Sequence, residues 1–110
     1  MNIIQQLYYY LRYREAVRKA EMAHFNDSDR YYVLPYDGTK LMIVDRKNFK
    51  MLKRKGYIDE RATMKDVMAE CFYFTAGKNQ PSMSQWQQKI KLKQYYAYIT
   101  AVKLDRKKKK

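Results

Sequence analysis

The chain has 110 residues, 46% hydrophobic and 15% aromatic, with twelve tyrosines but only three glycines and two prolines; this composition excludes a disordered segment and, at this length, a second core. Its 24 lysines and arginines stand against 11 acidic residues, a formal charge of +13, which points to partners that carry phosphate or carboxylate. The charge is graded: residues 1–29 hold four basic and four acidic side chains, 30–77 ten and six, and 78–110 ten and one, so the last third is the cationic end.

Asn2 followed by Gln5 is a capping box that opens a first helix running to about residue 24. This helix has two apolar sides, one made of Ile3, Ile4, Leu7, Leu11, Met22 and Phe25, the other of Tyr9, Tyr13, Ala16, Ala20 and Ala23. After Asn26-Asp27-Ser28-Asp29, the runs Arg30-Tyr31-Tyr32-Val33-Leu34-Pro35-Tyr36 and Thr39-Lys40-Leu41-Met42-Ile43-Val44 flank Asp37-Gly38, the pattern of a hairpin closed by a type I′ turn. Pro35 lacks a ladder donor, which places its part of the strand on an edge or at a bulge.

Asp45 caps a short helix over 46 to 55 that Gly56 ends in a left-handed conformation. Thr63 with Asp66 opens another, carrying Met64, Val67, Met68 and Cys71 inward and stopping near residue 77, and Ser82 with Gln85 opens a long final helix to about residue 105. That last helix also has two stripes: Trp86, Ile90, Ala97, Ala101 and Leu104, and Leu92, Tyr95, Ile99 and Val102. The predicted fold is α+β and predominantly helical, in the order helix, β-hairpin, three helices, as one small domain over 1–105 with a basic flexible tail at 106–110. The expected core is Leu7, Leu11, Val67, Met68, Cys71, Trp86 and Ile90, with the second stripe of the last helix as the alternative inward side. Alanines on the first and last helices allow these two to approach closely. Long helices apolar on two sides, in a chain too small to bury both, predict a homodimer.

The stretches Arg30-Tyr31-Tyr32-Val33-Leu34-Pro35, Asp37-Gly38, Arg46-Lys47-Asn48-Phe49 and Cys71-Phe72-Tyr73-Phe74-Thr75 resemble small uncharacterised proteins of gut Bacteroidetes and their phages or mobile elements. The resemblance covers roughly residues 10 to 76. It implies a bacterial or phage intracellular setting and carries neither an activity nor a residue role.

Chemistry-bearing residues are few. Cys71 and His24 are each alone of their kind and have no marked partner for nucleophilic catalysis; two such residues fall short of the four ligands of a zinc site, and no glycine-rich phosphate loop is present. Asp59, Glu60, Asp66 and Glu70 lack the spacing of a calcium loop. The sequence therefore predicts neither an enzyme nor a cofactor. A lone cysteine permits no internal disulfide and fits a reducing, cytoplasmic setting, while the N-terminus lacks a signal-peptide pattern and no apolar run reaches the roughly 18 residues of a membrane span.

Basic clusters remain. Arg46, Lys47, Lys50, Lys53, Arg54 and Lys55 surround the short helix; Lys89, Lys91 and Lys93 precede Tyr95-Tyr96-Ala97-Tyr98; Arg106, Lys107, Lys108, Lys109 and Lys110 close the chain. Cations that track phosphates, beside rings that stack on bases, are the equipment of single-stranded nucleic-acid binding. The sequence reading is a non-enzymatic basic accessory protein that binds DNA or RNA mainly through phosphates. The alternative is a protein-interaction or structural module, self-associating or bound to an acidic protein. A lysine tail alone anchors weakly to a membrane surface.

Overall fold

The computed structural model describes residues 1–108. The box at the start is formed: Asn2 Oδ1 accepts from the Gln5 amide at 2.8 Å and Gln5 Oε1 from the Asn2 amide at 3.4 Å, opening α1, Ile3–Asp27. Ser28 ends it in the left-handed region at φ 65°, its amide donating to the His24 carbonyl at 2.6 Å. Strands β1, Tyr32–Tyr36, and β2, Lys40–Val44, form the expected hairpin. Tyr36 pairs with Lys40, so the connection is three residues, Asp37, Gly38 and Thr39, one longer than a type I′ turn; Asp37 and Gly38 still take the positive φ values of 43° and 82°.

Helix α2, Arg46–Arg54, is capped by Asp45, which accepts from the Asn48 amide at 2.8 Å. It closes in a Schellman arrangement around left-handed Gly56, with Gly56 donating to Lys53 and Tyr57 to Leu52. Helix α3, Met64–Glu70, has the predicted Thr63–Asp66 capping box but stops well before residue 77. Cys71 is its C-cap, in extended backbone, and the chain turns directly into a two-residue strand β3, Tyr73–Phe74. Helix α4, Gln85–Lys108, begins at Ser84 rather than Ser82: Ser84 Oγ accepts from the Gln87 amide at 3.1 Å and Gln87 Oε1 from Ser84 at 2.9 Å. It also runs through Arg106, Lys107 and Lys108, which sequence places in a tail; Lys109 and Lys110 lie outside the described residues.

The architecture is α+β and mostly helical, four helices around a three-stranded antiparallel sheet of order β2-β1-β3 among the described residues. The hairpin strand β1 is thus central, yet Pro35 is tolerated. Val33 and Tyr31 turn their carbonyls to β3, accepting from Phe72 and Thr75, so two-residue alternation points the Pro35 nitrogen to the same side, past the end of β3. Helix α1 packs on β1 and β2, with Ala16 beside Leu41 and Ile43, while α2 and α3 flank Tyr32 on the other face.

One buried cluster draws on all seven elements, and it corrects the expected core. Val67 and Cys71 are buried and Met68 half-buried, as predicted, but Leu7, Leu11, Trp86 and Ile90 are exposed. The inward side of α1 is Tyr9, Tyr13, Ala16, Val17 and Ala20, and that of α4 is Tyr95 and Ile99 with half-buried Leu92 and Val102. Hydroxyl partners explain the preference. Tyr13 donates to the Phe72 carbonyl at 2.7 Å, Tyr95 to the Tyr9 carbonyl at 3.3 Å and Tyr98 to the Gly38 carbonyl at 2.9 Å, so each ring enters the core without stranding its polar end. The long helices therefore meet through rings, Tyr13 stacked on Tyr95 at 5.3 Å, and not through alanines: Ala97 and Ala101 face outward.

Candidate nucleic-acid interface

On α2 the inward positions are Phe49 and Leu52, which leaves Arg46, Lys47, Lys50 and Arg54, at i, i+1, i+4 and i+8, exposed along one stripe. The N-terminal half of this stripe forms one wall of a groove of about 610 Å³ beside Tyr32. The opposite wall comes from elsewhere in the chain: Arg30 just before β1 and Lys78 in the loop after β3. Arg30 is held rigidly, Nε donating to the Thr75 carbonyl at 2.9 Å and Nη2 to the Pro81 carbonyl at 2.6 Å, with its guanidinium 4.8 Å above the Phe74 ring. Sequence reading missed both residues, because only the folding of β1 beside β3 brings them to α2.

Five cations line this groove against two carboxylates, Asp29 and Asp45. The carboxylates have internal employment: Asp45 caps α2 and Asp29 lies 3.8 Å from Lys78. Asp27 completes a group of three carboxylates within 4.8 Å of one another. Its carboxyl is held below the usual range by the Tyr31 hydroxyl and then by the Asp29 amide. The acids beside α3 are likewise occupied, Asp59 pairing with Arg61 at 3.0 Å and Asp66 in the α3 capping box.

The other predicted contacts divide. Lys89 and Lys93 are exposed on α4, on the same side as Trp86, which is 71% exposed. The rings expected to interleave with these lysines are turned inward: Tyr95 is buried, Tyr96 and Tyr98 half-buried. Trp86 is the free ring instead. Lys107 and Lys55 are exposed, and Arg106 packs at the hairpin tip, where a Cβ on Gly38 would collide with its guanidinium.

Lys53 and Lys91 are structural. Lys53 Nζ donates to the Ala62 carbonyl at 2.7 Å and sits 5.4 Å from the centre of the Phe49 ring, while Lys91 Nζ donates to Met68 and Ala69 carbonyls at 2.8 and 3.0 Å, closing the C-terminus of α3. Replacing Lys91 with Met should cost about 1–2 kcal/mol of stability in a urea titration. It should leave nucleic-acid affinity and its salt slope untouched; a loss of affinity without a loss of stability would place Lys91 in the interface after all.

Cys71 and His24 bond to different backbone carbonyls, Cys71 Sγ donating to Met68 at 3.4 Å and His24 Nδ1 to Asp29 at 2.7 Å. Burial pushes the Cys71 thiol up, away from the reactive thiolate. The chain matches no protein-family model, no curated protein and no solved structure at a significant level.

Proposed function

We propose that this chain is a non-enzymatic, basic accessory protein that binds nucleic acid mainly through phosphate contacts in a reducing, cytoplasmic setting. One observation carries the reading: Arg30, Arg46, Lys47, Lys50 and Lys78, from three separate segments, converge on one open groove. Four of them project from an ordered helix or are pinned by backbone bonds, Arg46, Lys47 and Lys50 on α2 and Arg30 on two carbonyls, so little side-chain entropy is lost when phosphates arrive. Arg54 extends the track along α2, and Trp86, one turn before Lys89 on the side of α4 that also carries Lys93, adds a ring for an unpaired base. No helix among the described residues is long and apolar enough to cross a membrane.

Phosphate contacts release counterions, so log affinity should fall linearly with log salt at roughly 0.7–0.9 per contact. Replacing Arg46, Lys47 and Lys50 together with Gln should flatten that slope by about 2 to 3 and weaken all sequences alike, since backbone contacts position without reading bases. Emission from Trp86, the one tryptophan of the chain, should be quenched more by a single-stranded oligonucleotide than by a duplex. Absence of binding to DNA and RNA at about 50 mM salt, where such contacts are strongest, would reassign the charge to an acidic protein partner.

A further inference from the structure

Among the described residues, nothing covers the outward side of α1. Ile3, Ile4, Leu7, Leu11, Met22 and Phe25 are between 57% and 88% exposed, although every one of them is a large apolar side chain. Together, in two apolar stretches separated by Arg14, Glu15 and Arg18, they leave on the order of 800 Å² accessible, close to the roughly 800 Å² that each partner gives to a stable dimer.

We infer that this side is the interface of a homodimer in which two copies of α1 pair antiparallel about the Arg14–Glu15 step. The sequence along the stripe is self-complementary in that arrangement and in no need of a second surface. When residue i of one copy faces residue 29 − i of the other, Ile4 lies opposite Phe25, Leu7 opposite Met22, and Arg14 opposite Glu15, each pair occurring twice. Leu11 falls opposite Arg18, whose long aliphatic stem covers it while the guanidinium reaches water. Arg14 pairs with no carboxylate within the chain among the described residues, and Glu15 has only the exposed Lys19, at 3.3 Å, to leave.

Charge selects a second copy over another occupant. Two chains of +13 repel, but residues 1–29 carry four basic and four acidic side chains and no net charge. Contact through α1 thus joins the one neutral third of each copy. An acidic partner would choose the cationic two thirds, and a membrane surface would be poorly served by a stripe with Arg14 and Arg18 at its centre. This inference is independent of nucleic-acid binding.

Sedimentation equilibrium of the full chain from about 1 to 100 μM, with an upper limit set to catch dissociation constants in the micromolar range, should give the mass of a dimer. Leu7→Asp combined with Phe25→Asp should give a monomer with an unchanged far-UV circular dichroism spectrum, because both side chains are exposed. Arg14→Glu alone and Glu15→Arg alone should each weaken the dimer about tenfold, and the two together should restore it. The charge exchange leaves apolar packing intact, so it decides the matter even if the double Asp variant unfolds. A monomer at all concentrations, a dimer indifferent to Leu7→Asp and Phe25→Asp, or single reversals that the exchange does not rescue would each overturn the proposal.

Discussion

Replacing Tyr95 with Ala should cost about 3–5 kcal/mol, a large share of the 5–15 kcal/mol that holds a domain of this size together, while replacing Trp86 with Ala should shift stability by no more than about 0.5 kcal/mol. Both are large aromatic residues on α4, nine positions apart. Tyr95 is wholly buried, its ring 5.3 Å from those of Tyr13 and Phe72 and its hydroxyl bonded to the Tyr9 carbonyl. Its removal opens a cavity where α1, β3 and α4 meet, and the rigid sheet beneath limits collapse. Trp86 stands mostly in solvent. Urea unfolding followed by circular dichroism measures both, and a Tyr95→Ala protein within 1 kcal/mol of the parent would show that the helices are not joined as described.

Alkaline pH should unfold the protein in one cooperative step. Burial raises the phenols of Tyr13, Tyr73 and Tyr95 above the ordinary value near 10, with Tyr95 pushed up to about 12 and Tyr73 raised further by the Glu21 carboxylate to which its hydroxyl donates a hydrogen bond at 2.5 Å. Because the folded state disfavours the phenolate, these groups contribute their full stability below pH 10. The contribution is lost as the pH rises from about 10, where the unfolded chain ionises first, through the higher folded values. Each tyrosine withdraws about 1.4 kcal/mol per pH unit in that window, so three together withdraw about 4. The part of the tyrosinate absorbance that belongs to these three buried rings should therefore appear together with the loss of helical dichroism, above about pH 10. Complete ionisation at pH 12 with the helices intact would contradict the burial of these rings.

Element boundaries marked by short-range chemistry were legible in the sequence. The Asn2–Gln5 and Thr63–Asp66 boxes, the Asp45 cap and the Gly56 stop all act within five residues, and all are formed, whereas the connection at Asp37-Gly38 is one residue longer than expected and the last helix is capped at Ser84 and not at Ser82. Which side of a two-sided helix faces inward was not legible. Ile3, Ile4, Leu7 and Leu11 are more apolar than Tyr9 and Tyr13, yet the tyrosines are the buried ones: the Tyr13 hydroxyl meets a carbonyl 59 residues away, and the Tyr9 ring lies under the Lys103 ammonium. Strand β3 escaped for another reason: residues 71–75 are all buried, so they show no alternation, and two residues are too few for a period to appear. The cationic groove was half legible, since Arg46, Lys47 and Lys50 form a cluster in sequence whereas Arg30 and Lys78 join it only in space.

The hydrogen bond from Tyr95 to Tyr9 spans 86 positions, and Tyr95 and Ile99 are among the largest wholly buried side chains. Closure of the core therefore waits for nearly the whole chain. During synthesis, at about 5–20 residues per second, α1 and the hairpin exist for seconds before the rings that cover them have been made. In that interval the two apolar sides of α1 are both bare, and the nascent chain is at its most vulnerable to premature association. A long-range closure of this kind also slows refolding relative to a helical bundle of equal size, so destabilising changes in α4 should be felt first as poor yield of folded protein and only then as a lowered melting temperature.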